Sequence, residues 1–481
     1  MVKTVVADET QLKSIEDSLF QSGSAPLSAQ VGLVIGKVSA TSDRGHVYAL
    51  IPTPPTDGGD PACSLRSEGG GVGRDEKKKG GSKKPSNEVA QSVMIDADWV
   101  AEHARQVSRM LLGGINVVGI YIWAPEASFK ATSTAIFSLV IKGVAQAVPW
   151  YDTQFDERLL IHISYAPRRW ACRICNWTSG SLRPCDLKLS KVVASLQEFR
   201  CMCNFEIRLP IGKTSSPDHN LFKNVVSKGI NNLSKKLQTA KALMDGNLVE
   251  DDASLSTEGP CNLELLLPFE IESNPEESSL EDVAGLVLFS GSVCASAYLG
   301  PRESVSQAIS DLKGDIIASL RSRLNLMLDE AEGGEDLAGG DVQSDKSICQ
   351  LNFHELKKGY QVSFPRRVMV PWTDGLYVCD YLQPSETFED TKDRCKEMMS
   401  MEGTMDTSAI LEIESQSKPT TVKSFWEVVS GADSPIQNHL KKRDSSANAQ
   451  TNSRNSDGSN LLFIVAFFML IIATIIASRK Y

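Results

Sequence analysis

A handful of short stretches carry residue types that could do chemistry. Cys172-Arg173-Ile174-Cys175 sets two thiols at CxxC spacing, and Cys185, Cys201 and Cys203 follow downstream. Four thiolates can hold structural zinc, but Cys201-Met202-Cys203 is a CxC within an apolar run, whose side chains share a strand face, rather than a second knuckle. A structural metal on Cys172, Cys175, Cys201 and Cys203 stays open, and no catalytic metal or cofactor is assigned. Glu102-His103 lacks the second histidine that a helical HExxH zinc site needs, since position 107 is Val. Cys379-Asp380 could supply a nucleophile only if a histidine such as His354 or His162 reached it through the fold. Gly32 and Gly36-Lys37 have three residues between the glycines and Val38 after the lysine, which rules out a phosphate loop. Arg105 and Arg109 lie one helical turn apart, and arginine is enriched at protein interfaces, so they are candidate partner-binding residues, as are Tyr121 and Trp123.

The elements that would position these residues can be read from periodicity. "AQVGLVIGKVSA" and "HVYALIPTPP" are strands around a polar turn. Residues 54–93, rich in Gly, Lys and Ser, form a flexible loop. Asp96 or Asp98 caps a helix with Trp99, His103, Val107, Met110 and Leu111 on its apolar stripe, stopped by Gly113-Gly114. "INVVGIYIWAP" is a strand, and "SFKATSTAIFSLVIKGVAQAV" a helix with Phe129, Ile136, Leu139, Val140 and Val144 inward. "RLLIHISYAP", "WACRICNW" and "LQEFRCMCNFEIRLPI" are strands, and a helix from about 219 to 244 closes the unit. The expected class is α/β (α+β): a first domain at 1–245 built on one mixed sheet with flanking helices, then a smaller α/β domain at 258–400. The second holds strands from Cys261 and Ala284, a long amphipathic helix repeating from Val305 to Met327, a hairpin turning at Asp374-Gly375, and a last helix through Cys395.

Within the first unit, Val117–Pro125 reads VVGIYIWAP. With "VGLVIGK" upstream, it resembles the MPN domain family, whose active members are zinc-dependent isopeptidases carrying V-G-W-Y-H-S-H-P at this strand end. Val118, Gly119, Tyr121 and Pro125 match. Ile122 and Ala124 stand where that family has its two zinc-binding histidines, Thr132 where it has Ser, and Ala135 where it has the third ligand, Asp. The resemblance therefore implies a pseudoenzyme, because Ile and Ala offer no donor to zinc.

Over nearly the whole chain, "EHARQVSRMLLGG" (102–114), "PRRVMVPW" (365–372) and "CDY" (379–381) resemble the odorant-response-abnormal protein 4 family. That resemblance implies a single-pass protein of the endoplasmic reticulum membrane. It also implies roles in the trafficking of selected G-protein-coupled receptors and in anchoring the ubiquitin-fold-modifier-specific cysteine protease through that enzyme's MPN-like domain. The alternative is a membrane-tethered hydrolase using a cysteine or an unrecognised metal site.

The tail carries the strongest single signal. Leu461 to Ser478 has no charge, and Leu461, Phe463, Phe467, Phe468, Ile471 and Ile476 spread apolar surface around every helical face. At about 1.5 Å per residue it spans about 27 Å, close to a hydrocarbon core. The expectation is a transmembrane helix at 461–478, reached by a disordered linker over 403–459, with the bulk of the chain cytosolic and lipid as one partner. The N-terminal residues have no apolar signal-peptide core. A net charge of −10 argues against a nucleic-acid partner. The odd cysteine count, 11, fits reduced thiols better than a disulfide framework.

Overall fold

The computed structural model describes residues 2–21, 29–38, 42–66, 91–148, 156–212, 221–249, 259–268, 283–336, 364–373, 375–401, 406–414 and 421–424. The chain begins with β1 (Thr4–Asp8) and α1 (Glu9–Gln21), then β2 (Gln30–Lys37) and β3 (Arg44–Pro52). Two short strands, β4 (Cys63–Arg66) and β5 (Ser92–Ile95), pair with each other and flank residues 67–90, which lie outside the described residues. The loop expected over 54–93 is thus ordered at both ends, because Cys63 and Val93 are apolar and bury into the core.

Helix α2 (Ala97–Met110) starts at Asp96, whose carboxylate accepts from the Trp99 amide at 3.0 Å. It leads into β6 (Asn116–Trp123). The single helix expected next is two, α3 (Glu126–Ala131) and α4 (Thr134–Ala147). The break has a local cause. The Thr132 hydroxyl donates to the Ser128 carbonyl and ends α3, and the Ser133 hydroxyl accepts from the Ala135 amide and caps α4. The buried face of α4 is Phe137, Val140, Ile141 and Val144, while Leu139, expected inward, is 61% exposed. Strands β7 (Glu157–Tyr165), β8 (Arg168–Asn176) and β9 (Ser181–Ser190) follow.

These strands form a closed barrel in the order β1-β3-β2-β6-β7-β8-β9. Closure depends on β1, which pairs parallel with β3 from Thr4↔Arg44 and parallel with β9 from Thr4↔Asp186. Strand β6 pairs antiparallel with β2 and parallel with β7. The expected mixed sheet is thus closed on itself and has no free edge. One face, drawn from all seven strands with α1 against it, is the barrel interior and holds Val5, Val34, Val118, Tyr121, Trp123 and Ile161. The other face packs under α2 and α4 with Leu33, Ile120 and Ile122.

A second sheet begins earlier than expected. It is built from β10 (Gln197–Gly212), β11 (Lys241–Met244), β12 (Asn247–Leu248), β13 (Cys261–Leu266) and β14 (Val283–Leu299), in the order β12-β11-β13-β10-β14. Strand β10 and helix α5 (Leu221–Thr239), which the sequence places with the first sheet, belong here. Phe199, Cys201, Phe205, Val226 and Ile230 share a core with Val293, Leu312 and Leu320. The long helix α6 (Val305–Asp336) covers this sheet. The hairpin β15 (Arg366–Thr373) and β16 (Leu376–Leu382) forms as expected, with Gly375 at φ +88° in the turn. Helix α7 (Phe388–Met399) follows it. Both pack into the core of the barrel's outer face, through Val368, Val378 and Cys395, not into the second sheet's core.

Met1–Val422 makes one compact unit. Among the described residues no helix is long and apolar enough to cross a membrane. The expected span, with Leu461, Phe463, Phe467, Phe468, Ile471 and Ile476, and most of the linker lie outside the described residues.

Candidate functional site

The positions that the MPN resemblance aligns with zinc ligands are filled by hydrocarbon and rings. Ile122 and Ala124 are fully buried on the barrel's outer face. The parallel register Ile122↔His162 brings His162 beside them. Its Nε2–H donates to the Ala124 carbonyl at 3.0 Å, since a carbonyl can only accept. The imidazole stacks on Phe129 at 4.0 Å, Phe129 stacks on Phe137 at 4.6 Å, and the Arg173 guanidinium lies 4.8 Å over Phe129. Burial pushes the His162 pKa down, so the ring is neutral at pH 7. Thr132 spends its hydroxyl inside the fold, donating to Ser128 and accepting from the Val93 amide, each at 2.7 Å. Ala135 is exposed on the first turn of α4. Among the described residues no three His, Cys, Asp or Glu side chains are placed to hold a metal ion. Sequence reasoning missed His162 as part of this region. The signal was the pairing of β6 with β7, which a linear motif does not contain.

The cysteine candidates are separated. Cys172 faces the barrel interior and Cys175 the outer core, as an i, i+3 pair on a strand must. Cys201 and Cys203 share a face, as expected of CxC, but in the second sheet's core. Cys379 is buried and its thiol donates to the Arg109 carbonyl at 3.4 Å. Burial pushes its pKa up, the opposite of what activates a nucleophile. His354 lies outside the described residues.

The four partner-binding candidates fall in two places. Tyr121 and Trp123 are inside the barrel, so they are core residues and not a surface. The Tyr121 ring lies against Gly32, where an added Cβ would sit 2.4 Å from it. Trp123 meets Phe20 edge-on at 4.9 Å and Tyr165 at 5.1 Å. The arginines lie on the outward face of α2 and pair across to α6. Arg105 donates to Glu102 at 2.8 Å and approaches Asp329 at 3.6 Å, and Arg109 holds Asp329 at 2.9 Å. Arg105 keeps 36% of its side chain exposed and Arg109 only 13%, so of the four Arg105 is the most accessible. Both line a cleft of about 670 Å³ between α2, its following turn and α6, with Lys37, Asp311 and Arg321. Lys37 is held in that cleft by Asp311 at 2.7 Å and Glu303 at 3.0 Å.

A buried ion-pair hub lies behind the cleft. Arg367 grips Asp315 with two bonds, 2.6 and 2.9 Å, and Arg323 grips Glu414 at 2.8 and 2.7 Å. All four side chains are about 1% exposed. Glu414 also accepts from the amides of Cys294 and Arg367. Burial alone would pull the Arg367 pKa down, but Asp315 overcomes it and holds the guanidinium charged. Sequence reasoning missed this hub. The only hint was an arginine set within "RRVMVPW", a strand-like apolar run.

The Odorant response abnormal 4-like (ODR4-like) family model matches residues 32–410. The protein odr-4 homolog of Gallus gallus is 27% identical over 393 residues, covering 76% of this chain and 78% of that one. The protein odr-4 homolog of Homo sapiens is 25% identical over 423 residues, covering 83% of each. Among solved structures, the crystal structure of UfSP from C. elegans covers 82% of this chain and 56% of that one at 9% identity, with a TM-score of 0.36, too low to support any conclusion. The segments most closely tied to the hub and cleft, 102–114 and 365–372, lie inside the matched range, and with the family model spanning most of its length the chain belongs to the ODR4-like family.

Proposed function

We propose that this chain is a non-catalytic adaptor, anchored by Leu461–Ser478 in the endoplasmic reticulum membrane, that acts in the trafficking or localisation of membrane receptors of the G-protein-coupled type. On this reading it also holds a ubiquitin-fold-modifier-specific cysteine protease at that membrane through the protease's MPN-like domain. Membership of the ODR4-like family, by the match over residues 32–410, is the observation that carries the reading. Two local features support its non-catalytic part: Ile122 and Ala124 fill with hydrocarbon the place a metal would need, and Cys379 is buried with a raised pKa. The uncharged run at 461–478 supports the anchor. Arg105, the accessible arginine beside the cleft, is the residue offered to a protein partner.

The test is deletion of Leu461–Tyr481 in cells lacking the native chain. The shortened chain should leave the membrane fraction, the protease should become diffuse, and receptor delivery should fall to the level without the protein. Delivery and protease location unchanged by the deletion would reject the anchoring role.

A further inference from the structure

Cys172 and Cys185 stand directly opposite each other on the antiparallel pair β8–β9. Both side chains face the barrel interior, Cys172 within that core and Cys185 packed against it. The Cys185 thiol donates to the Lys3 carbonyl at 3.1 Å, with Cys172 directly across the strand pair. Directly opposed residues on antiparallel strands have Cα atoms about 4.5 or 5.5 Å apart, according to the pair type. Disulfides span Cα separations of about 4.4–6.8 Å. A bond between these sulfurs therefore fits the strands as they lie. The CxxC spacing in the sequence points to the wrong pair, because Cys175 faces the other side of the sheet.

Exposure divides the roles within the pair. Of the ten described cysteines, nine are buried and Cys185 alone is half-exposed. The neighbouring Cys172 holds the Cys185 pKa down, with Arg183 acting in the same direction, against burial and the carboxylates of Asp186 and Glu157. Cys172 is pushed up by its neighbour Cys185 and by burial. The accessible thiol is thus the one biased towards thiolate, and its resolving partner sits one strand away.

We propose that Cys172 and Cys185 form a hydroperoxide-sensitive dithiol site that closes reversibly to a cross-strand disulfide. The Cys185 thiolate attacks one peroxide oxygen. The O–O bond breaks, sulfur keeps that oxygen as a sulfenic acid, and the departing alkoxide or hydroxide takes a proton. The Cys172 sulfur, giving up its proton, then attacks the sulfenic sulfur; the S–S bond forms and the oxygen leaves as water. Two thiols lose two protons and two electrons, and the peroxide is reduced to one alcohol, or water, and one further water. A small-molecule or protein thiol reverses the step by exchange. The bond would staple β8 to β9, the strand that closes the barrel against β1. Closing the disulfide also removes the S–H that Cys185 donates to the Lys3 carbonyl on the β1 side, at 3.1 Å.

The experiment treats the reduced full chain in detergent micelles with stoichiometric hydrogen peroxide at neutral pH, then alkylates, digests and maps thiols by mass spectrometry. A Cys172–Cys185-linked peptide should accumulate and vanish on reduction. Without peroxide, Cys185 should alkylate roughly tenfold faster, or more, than Cys175 or Cys201. Cys172→Ser should leave Cys185 as a sulfenic acid trapped by a dimedone probe. Cys185→Ser keeps a donor for the Lys3 carbonyl and should leave Cys172 reduced. Should either variant fail to fold, the linked peptide in the unaltered chain decides alone. Full alkylation of both residues after peroxide, or linkage of either to another cysteine instead, would overturn the proposal.

Discussion

At the scale of single residues, the strongest commitments are the charges and imidazoles sealed inside the fold. Arg367 and Asp315 are paired with both side chains about 1% exposed. Arg367→Ala should destabilise the full chain by about 3–5 kcal/mol, because it strands a buried carboxylate. Chemical denaturation in detergent would read that loss, and Asp315→Leu added to Arg367→Met should recover part of it. His103 offers a pH test. Its Nε2–H donates to the Met398 carbonyl at 2.9 Å, leaving Nδ1 to accept from the Thr53 hydroxyl at 3.2 Å, a pattern that only the neutral ring satisfies. Burial lowers its pKa from the ordinary 6.5. The folded ring therefore stays neutral where the unfolded ring binds a proton, so its contribution is complete above about pH 6.5 and is lost as pH falls towards the lowered folded value. The stability difference between the native chain and His103→Gln should shrink as pH drops from 7 to 5. A difference that stays constant would show that His103 does not titrate differently in the two states.

At the scale of elements, the α2–β6 turn is where the barrel and α6 meet. The Gly113 amide donates to the Ser296 carbonyl at 2.9 Å. A Cβ there would lie 2.7 Å from the Asp311 carbonyl oxygen and 2.8 Å from that of Ser296, and Gly114 sits at φ +80°. Gly113→Ala should cost about 2 kcal/mol or more, by forcing these backbones apart, and thermal unfolding measures it. The sequence reading treated Gly113-Gly114 only as a helix stop, since the close approach involves residues about two hundred positions away. Periodicity made legible what is local: α2 with its Asp96 cap, the run of α6, and the hairpin turn at Gly375. It did not reveal β1 and β9. Each is short or polar, with Pro184 inside β9, and their parallel pairing joins Thr4 to Asp186. Without that closure β6 looks like a strand with one free face, and Tyr121 and Trp123 look available. With it, every residue from Val117 to Trp123 is buried. The unbroken apolar run of VVGIYIW was the sign of burial on both faces.

At the scale of the whole molecule, the barrel and second sheet are tied by the hairpin, the α2–α6 ion pairs and Glu414, so Met1–Val422 holds together as one unit. The sequence reading placed the change of sheet near residue 245, but pairing moves it to Gln197, because β10 runs along β14 from Gln197↔Leu299 to Gly212↔Val283. Such long antiparallel pairing is set by partners distant in sequence and leaves no local mark. The positions at Ile122 and Ala124 are packed shut.

The central claim is that this body brings a protein partner to a membrane through its own tail. Flotation tests it with three components: liposomes, the purified protease, and the chain reconstituted with or without Leu461–Tyr481. The account predicts that the protease rises with liposomes carrying the full chain and stays at the bottom with the shortened one. A protease that remains at the bottom beside the full chain, or floats equally well without the tail, would contradict it.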